Sequence, residues 1–138
     1  MQGFWELELP TPSGAKLALK AFRSRPLVVN FWATWCAPCV KEMPELDRFA
    51  HAFSAQGWQV LGVAIDQLPA VQAFLQRTPV GFPIVLADPA EGLPWLRRLG
   101  NANGGLPFSL QVGADGRIAR RKLGPTDFGE LSDWARAA

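Results

Sequence analysis

The sequence predicts an α/β fold in which a mixed central sheet carries helices on both faces. Segments with strand-like and helix-like periodicity alternate along the 138 residues, and a turn signal at residues 113–116 joins the last two strands as a hairpin. Alternating strands and helices require parallel strands joined by crossovers, whereas a hairpin adds antiparallel ones. The length suits one domain, so we expect residues 1–138 to form a single domain.

Each element is predicted from its local pattern. Alternating apolar and acidic residues predict a strand at 4–9, which forms an N-terminal hairpin with a short strand at 17–19. Nearly continuous apolar runs predict buried strands at 27–33 and 58–65. The same reasoning predicts helices from residue 36 to about 57 and at 69–77, 93–99 and 127–137, and strands at 82–86, 107–112 and 117–123.

Composition excludes several classes of protein. Hydrophobic residues make up 49% of the chain and charged residues 19%, which excludes general disorder. The net charge of +2 comes from 14 basic and 12 acidic residues, so we expect no nucleic-acid partner. No apolar run is long enough to span a bilayer, and the N-terminus has no signal-peptide pattern.

Both cysteines of the chain lie in one motif, Trp35-Cys36-Ala37-Pro38-Cys39, where a buried strand meets a helix. The first turn of a helix has unpaired N–H groups and the positive end of the dipole, which together stabilise a thiolate at Cys36. Cys39 follows one helical turn later, near enough for a disulfide. Pro38 suits the first turn because its missing N–H costs nothing there. This spacing provides a nucleophile, a resolving thiol and a rigid frame between them.

Other interpretations of two closely spaced cysteines are half of a zinc site or two buried apolar side chains. A structural zinc site needs four ligands, and His51, the only histidine, adds at most one to the two thiols. His51 also falls near the far end of the predicted helix. Chance burial leaves the strand-to-helix position and the proline unexplained, so the pattern favours redox chemistry and predicts neither a metal nor an organic cofactor.

Residues 28–44, VVNFWATWCAPCVKEMP, resemble the thioredoxin fold and, more narrowly, the TlpA/ResA group of extracytoplasmic thiol–disulfide oxidoreductases. The resemblance extends over nearly the whole chain, because the N-terminal hairpin and an extra helix–strand segment at 69–86 both fit that group. It implies a thioredoxin-like three-layer sandwich. It also implies an extracytoplasmic location, periplasmic or membrane-anchored, with the leader or anchor absent from this chain.

The resemblance assigns roles by position. Cys36 matches the attacking cysteine and Cys39 the resolving one. Asn30 stands where thioredoxin has a buried aspartate that helps to move the proton of the second thiol, so another acceptor is needed. Glu42 matches a glutamate that ResA-like proteins have near the cysteine pair, and it could accept the Cys39 proton. The alternative for Glu42 is an exposed helical glutamate paired with Lys41 or Arg48.

A second motif, Gly104-Gly105-Leu106-Pro107-Phe108, precedes a predicted strand. By resemblance, Pro107 is a cis-proline that faces the cysteine pair across a shallow groove, and the main chain at Leu106 pairs with an extended substrate segment. The alternative is an ordinary trans-proline. Trp35 is expected to offer an apolar face to substrate beside Cys36.

The predicted activity is thiol–disulfide exchange with protein substrates that carry cysteine pairs. Ala37 and Pro38 tune the pair, and because they add neither charge nor hydrogen-bonding groups, we expect a reductant. By resemblance, its context is cytochrome c maturation or copper-centre assembly. The expected partners are such substrates and an upstream membrane dithiol donor, and the protein is expected to be a monomer.

Three other functions on a related fold stay open. A copper-binding assembly factor of the Sco type needs a wider cysteine spacing and a distal histidine, and a peroxidase of the peroxiredoxin type would lack the Trp-Cys-x-Pro-Cys signature. A redox-inert module that uses the same groove would not require both thiols.

Overall fold

A computed structural model describes all residues, 1–138. The main sheet consists of β3 (Leu27–Trp32), β4 (Gln59–Ile65), β5 (Ile84–Ala87), β6 (Phe108–Val112) and β7 (Ile118–Leu123). They lie in the order β5-β4-β3-β6-β7, with β3 in the centre. The pairs β3–β4 and β4–β5 are parallel, while β3–β6 and β6–β7 are antiparallel. The predicted mixed sheet is confirmed.

Helices cover both faces of this sheet. They are α1 (Ala37–Phe53), α2 (Leu68–Arg77), α3 (Pro89–Arg98) and α4 (Phe128–Ala137). The apolar residues of α1, α2 and α4 pack with Val28 in one core, whereas those of α3 and the N-terminal segment pack with Val29 in the other. Neighbouring residues of a strand point to opposite faces, so a strand buried on both sides must be apolar throughout. This accounts for the apolar run of β3 and confirms the three-layer arrangement.

The N-terminal segment differs in part from the expectation. Phe4–Glu6 is a 3-10 helix rather than a strand, and β1 (Glu8–Pro10) then pairs antiparallel with β2 (Lys16–Ala18). Phe4 and Trp5 are consecutive and both buried, with their rings edge to face at 5.3 Å. A strand would turn one of the two outward, so the helical turn follows from burying both. The predicted hairpin is present, but the predicted strand is wrong over its first half.

Two further elements begin at residues other than the predicted ones, each for a local reason. Helix α3 begins four residues before the predicted start because the Asp88 side chain caps it, accepting from the Glu91 N–H at 3.1 Å, and Pro89 occupies the first turn. Strand β5 begins at Ile84, after Phe82 and Pro83, since proline cannot donate to the sheet.

One edge of the sheet collects the segments that carry the candidate site. Phe31 near the end of β3 is opposite Phe108 at the start of β6, and Phe108 is opposite Leu123 at the end of β7. On the other side, the parallel strand β4 ends beside β3. The residues that follow β3, β4 and β7 therefore meet those that precede β6, and we call this the active-site edge.

We predict that Leu46→Ala destabilises the protein far more than Leu68→Ala. Leu46 on α1 is fully buried, whereas Leu68 on α2 is 39% exposed. Truncating the buried side chain should lower the free energy of unfolding by about 2–5 kcal/mol, and truncating the exposed one by under about 1 kcal/mol. Urea denaturation of both variants measures the difference. Equal losses would contradict the placement of α1 on the core.

Candidate active site

The two cysteines form a disulfide at the start of α1. Their Cα atoms are 5.3 Å apart, and Cys36 is the N-cap residue of the helix. The Cys36 sulfur accepts a hydrogen bond from the backbone N–H of Cys39 at 3.3 Å. It therefore lies at the positive end of the helix dipole, where negative charge is stabilised. Cys36 is 7% exposed and Cys39 is fully buried, so Cys36 is the cysteine that another protein can reach.

The residues around the disulfide are more accessible. Ala37 and Pro38, which separate the cysteines, are exposed, and Pro38 lies in the first turn of α1. Trp35 is 69% exposed, whereas Trp32 is fully buried and packs against Phe74 with ring centroids 5.2 Å apart. Two tryptophans three residues apart thus differ completely: one is part of the core and the other stands in solvent beside Cys36.

The Leu106–Pro107 peptide bond is cis. It lies at the active-site edge directly before β6, and the Pro107 carbonyl accepts from the Gly124 N–H at 2.8 Å, which ties it to the end of β7. Leu106 is half-buried and packs against the core cluster that contains Cys36 and Cys39. The bond has the conformation that the resemblance implies, while the role of Leu106 and Pro107 in binding substrate stays a prediction.

Glu42 is buried, at 2% exposure, one helical turn after Cys39. Its Oε1 accepts from the Asn30 amide at 3.0 Å, and its Oε2 accepts from the backbone N–H and the hydroxyl of Thr126 at 2.6 and 2.5 Å. Burial raises the pKa of Glu42 above its ordinary value, and these hydrogen bonds only partly oppose it. Glu42 forms no ion pair, so the alternative of an exposed glutamate paired with Lys41 or Arg48 is wrong.

Asn30 connects Glu42 to the sheet. It lies on β3 with no exposed surface, and its amide nitrogen also donates to the Ser109 hydroxyl on β6 at 3.0 Å. Its Oδ1 has no hydrogen-bond partner. The carboxyl group that thioredoxin has on its central strand is thus replaced by an amide, and Glu42 on α1 is the carboxyl group that this amide binds.

An open groove of about 670 Å³ runs between the start of α1 and the loop before α4. Ala37, Pro38 and Glu42 line it on one side, and Thr126 and Asp127 line it on the other. Glu42 therefore borders the same groove as the two residues that separate the cysteines.

Apolar side chains surround the active-site edge. The large hydrophobic residues that stand out in solvent are Trp35, Leu68, Leu93 and Leu123. Trp35 follows β3, Leu68 follows β4 and Leu123 ends β7, while a methyl group of Leu93 approaches Gly104. Exposed apolar side chains at the edge of the sheet that carries the disulfide are typical of a surface that contacts another protein.

No group of three or more His, Cys, Asp or Glu side chains is arranged to hold a metal ion. His51 is exposed in the last turn of α1, at the opposite end from the cysteines, as expected. No helix is long and apolar enough to cross a membrane.

Residues 2–120 match the AhpC/TSA family. The chain belongs to that family. It is 26% identical over 124 residues to the thiol-disulfide oxidoreductase ResA of Bacillus thuringiensis subsp. konkukian, covering 89% of this chain and 69% of that protein. The resemblance to ResA-type proteins is thereby confirmed.

Solved structures match the fold along nearly the whole chain. A thioredoxin-related protein from Neisseria meningitidis serogroup B superposes with a TM-score of 0.83 at 29% identity, covering 94% of this chain and 97% of that one. A secreted Mycobacterium tuberculosis disulfide oxidoreductase homologous to E. coli DsbE superposes with a TM-score of 0.79 at 25% identity, covering all of both chains. The thioredoxin-like fold class is confirmed.

Sequence reasoning missed three residues that hold the site together. Thr126 and Ser109 bind the Glu42–Asn30 pair, and Asp66 binds Thr34 in front of the cysteine motif. Asp66 could have been noticed as a lone acid at the end of a buried strand. Thr126 and Ser109 lie 84 and 79 residues from their partners along the chain, and no local pattern connects residues so far apart.

We predict that Glu42→Gln changes the pH dependence of stability. The folded protein holds the Glu42 proton to a higher pH than the unfolded chain, so the free energy of unfolding falls as the pH rises from about 4.5 through the raised pKa. The wild-type value minus that of Glu42→Gln should decline over this window by at most about 1.4 kcal/mol per pH unit, then level off. Urea denaturation from pH 4 to 8 measures it.

Glu45→Gln, one turn further along α1, is the control for loss of a carboxylate on this helix. A wild-type minus Glu42→Gln difference that is constant or rises with pH would contradict a raised pKa at Glu42.

Proposed function

We propose that this protein is a thiol–disulfide oxidoreductase that reduces disulfides in protein substrates through Cys36 and Cys39. The observation that carries the proposal is the Cys36 sulfur at the N-terminus of α1, bonded to a buried partner one turn away. The names of the relatives support it, since ResA of Bacillus thuringiensis is a thiol-disulfide oxidoreductase. We further propose that residues 1–138 act as one domain.

The reaction is two successive exchanges. With both thiols reduced, the Cys36 thiolate attacks a substrate disulfide, forms a mixed disulfide and displaces one substrate thiolate. The Cys39 thiolate then attacks the Cys36 sulfur, closes the intramolecular disulfide and releases the second substrate thiolate. Two electrons pass to the substrate, two protons follow, and the protein is left oxidised, as in this structure. A dithiol donor must restore the reduced pair.

Glu42 is the proposed acceptor for the Cys39 proton. It follows Cys39 by one turn of α1 and borders the groove beside the pair. Because burial raises its pKa, its carboxyl group holds a proton closer to neutral pH than an exposed glutamate would. Its hydrogen bonds to Asn30 and Thr126 keep it in place while the thiols react.

Substrate binding is proposed at the active-site edge. The main chain at Leu106, before the cis bond to Pro107, would pair with an extended segment of the substrate. Trp35 would cover the segment from the side of Cys36 with its exposed ring. Main-chain pairing tolerates many sequences, which suits an enzyme that acts on proteins.

We propose from Ala37 and Pro38 that electrons pass from this protein to its substrate. A strong oxidant needs an unusually stable thiolate, and neither residue offers a charge or a hydrogen-bonding group for one. The negative charge of an ionised Glu42 further disfavours a thiolate nearby.

The proposed setting is outside the cytoplasm, with a membrane dithiol donor upstream, and with the protein acting as a monomer. A related Mycobacterium tuberculosis oxidoreductase is secreted, which supports this setting. Cytochrome c maturation and copper-centre assembly both need cysteine pairs to be kept reduced, and they are the proposed processes.

The direct test is to trap the intermediate. Reduced Cys39→Ser, mixed with a peptide that carries a disulfide, should accumulate a mixed disulfide through Cys36, because no resolving thiol remains. Cys36→Ser is the matched control and should accumulate far less, since Cys39 is fully buried. Mass spectrometry under non-reducing conditions measures both. Equal trapping by the two variants, or none by Cys39→Ser, would overturn the proposal.

We predict that Pro38→His makes the pair more oxidising. A histidine in the first turn of α1 adds a positive charge beside the Cys36 sulfur and stabilises the thiolate. The equilibrium constant with glutathione should shift by about tenfold toward reduced protein, equivalent to about 30 mV. Pro38→Ala removes the proline without adding a charge, so it separates the two effects. It should shift the equilibrium constant much less. An equal shift in both variants would show that the ring of Pro38, rather than the missing charge, sets the potential.

A further inference from the structure

Asp66 binds the turn that leads into the cysteine motif. Its Oδ2 accepts two hydrogen bonds from Thr34, one from the backbone N–H at 2.9 Å and one from the hydroxyl at 2.5 Å. Asp66 directly follows β4 and Thr34 lies two residues after β3. These strands are parallel neighbours, with Trp32 opposite Ala64, so the contact spans adjacent strand ends.

The Asp66 carboxylate is itself fixed. It is 7% exposed, and its Oδ1 accepts from the Gln67 N–H at 2.7 Å. Both oxygens are thus engaged, and hydrogen bonds to a carboxylate are among the stronger ones in proteins. A buried acceptor of this kind restricts Thr34 at two points, the main chain and the side chain.

Only Trp35 and Cys36 separate Thr34 from the first residue of α1. On the helix side, the Cys36 sulfur accepts from the Cys39 N–H, and the Cys36 N–H donates to the Ala33 carbonyl at 3.2 Å. Trp35 is 69% exposed. The backbone of the turn therefore sets the position from which the Trp35 side chain projects.

We propose that Asp66 is a positioning residue for thiol–disulfide exchange. It holds the turn at Thr34 so that the Cys36 sulfur and the Trp35 ring face an incoming substrate in one orientation. The inference rests on the proposed function, since it assigns the device that orients the same nucleophile. Exchange needs the attacking sulfur aligned with the substrate disulfide, and a misplacement of about 1 Å can cost about a hundredfold in rate.

The experiment compares two pairs of variants in the full chain. Asp66→Ala removes the acceptor, whereas Asp66→Asn removes the charge but keeps one side-chain oxygen for Thr34. Thr34→Val removes the hydroxyl at nearly constant shape, whereas Thr34→Ser keeps it. For each reduced protein, the rate constant with a disulfide-bearing peptide, the rate constant with a small uncharged disulfide and the equilibrium with glutathione are measured, with urea denaturation alongside.

With the peptide, Asp66→Ala should react about tenfold more slowly and Thr34→Val about threefold more slowly, within the range that a misplaced nucleophile costs. Asp66→Asn and Thr34→Ser should stay within about twofold of wild type, because each keeps an acceptor or donor for the turn. The loss should be smaller with the small disulfide, which does not need the Trp35 ring.

Two outcomes would overturn the inference. If folded Asp66→Ala reacts like wild type with the peptide, Asp66 has no positioning role, even if the variant is less stable. If Asp66→Asn is as slow as Asp66→Ala and shifts the glutathione equilibrium equally, the charge matters instead of the position. If Asp66→Ala fails to fold, the comparison of Thr34→Val with Thr34→Ser tests the inference instead, since both variants keep the Asp66 carboxylate and only Thr34→Ser keeps the hydroxyl group. Equal rates for these two variants would then overturn it. A wild-type protein that reduces no peptide disulfide would instead refute the proposed function.

Discussion

The hydrogen bond from the Cys39 N–H to the Cys36 sulfur is the contact on which the rest of the site depends. It makes a cysteine the N-cap of α1. The backbone of an N-cap residue is extended, and its side chain accepts a hydrogen bond from an N–H group of the first turn. The sulfur is thereby held at the positive end of the helix dipole. Because β3 is the central strand, the helix that follows it starts in the middle of the active-site edge, where the segments that follow β4 and β7 and the segment that precedes β6 also lie.

This site combines apolar side chains with a buried carboxyl group, that of Glu42. The cysteines belong to a core cluster, yet Glu42 lies on the same helix and is bound by Asn30 and Thr126. A buried carboxylate is costly unless it is hydrogen-bonded, so the sheet and the α4 loop each supply donors to it. The polar residues beneath the helix therefore connect α1 to both β3 and the loop before α4, and they do so at the residue that we propose as the proton acceptor.

Much of this was predictable where the physical cause is local. The apolar runs of β3 and β4 require burial on two faces, and the strand-to-helix junction puts Cys36 at a helix start whatever the remaining fold. The strand prediction was wrong at Phe4 and Trp5, because periodicity alone does not show which residues a distant part of the chain will bury. Thr126 and Ser109 were not predictable, since each binds a residue far away in the sequence. Asp66 is noticeable as a lone acid at the end of a buried strand, but nothing local shows that it binds Thr34. The resemblance to a known family supplied what periodicity could not, namely the cis bond at Pro107.

We propose that Cys36 and Cys39 form a reducing dithiol. The most direct measurement is the midpoint potential of this pair, obtained by equilibrating the protein with glutathione buffers and quantifying the oxidised form by thiol alkylation and mass spectrometry. We predict a value toward the reducing end of the range for such pairs, about −270 to −200 mV. A value near the oxidising end, about −120 mV, would contradict it.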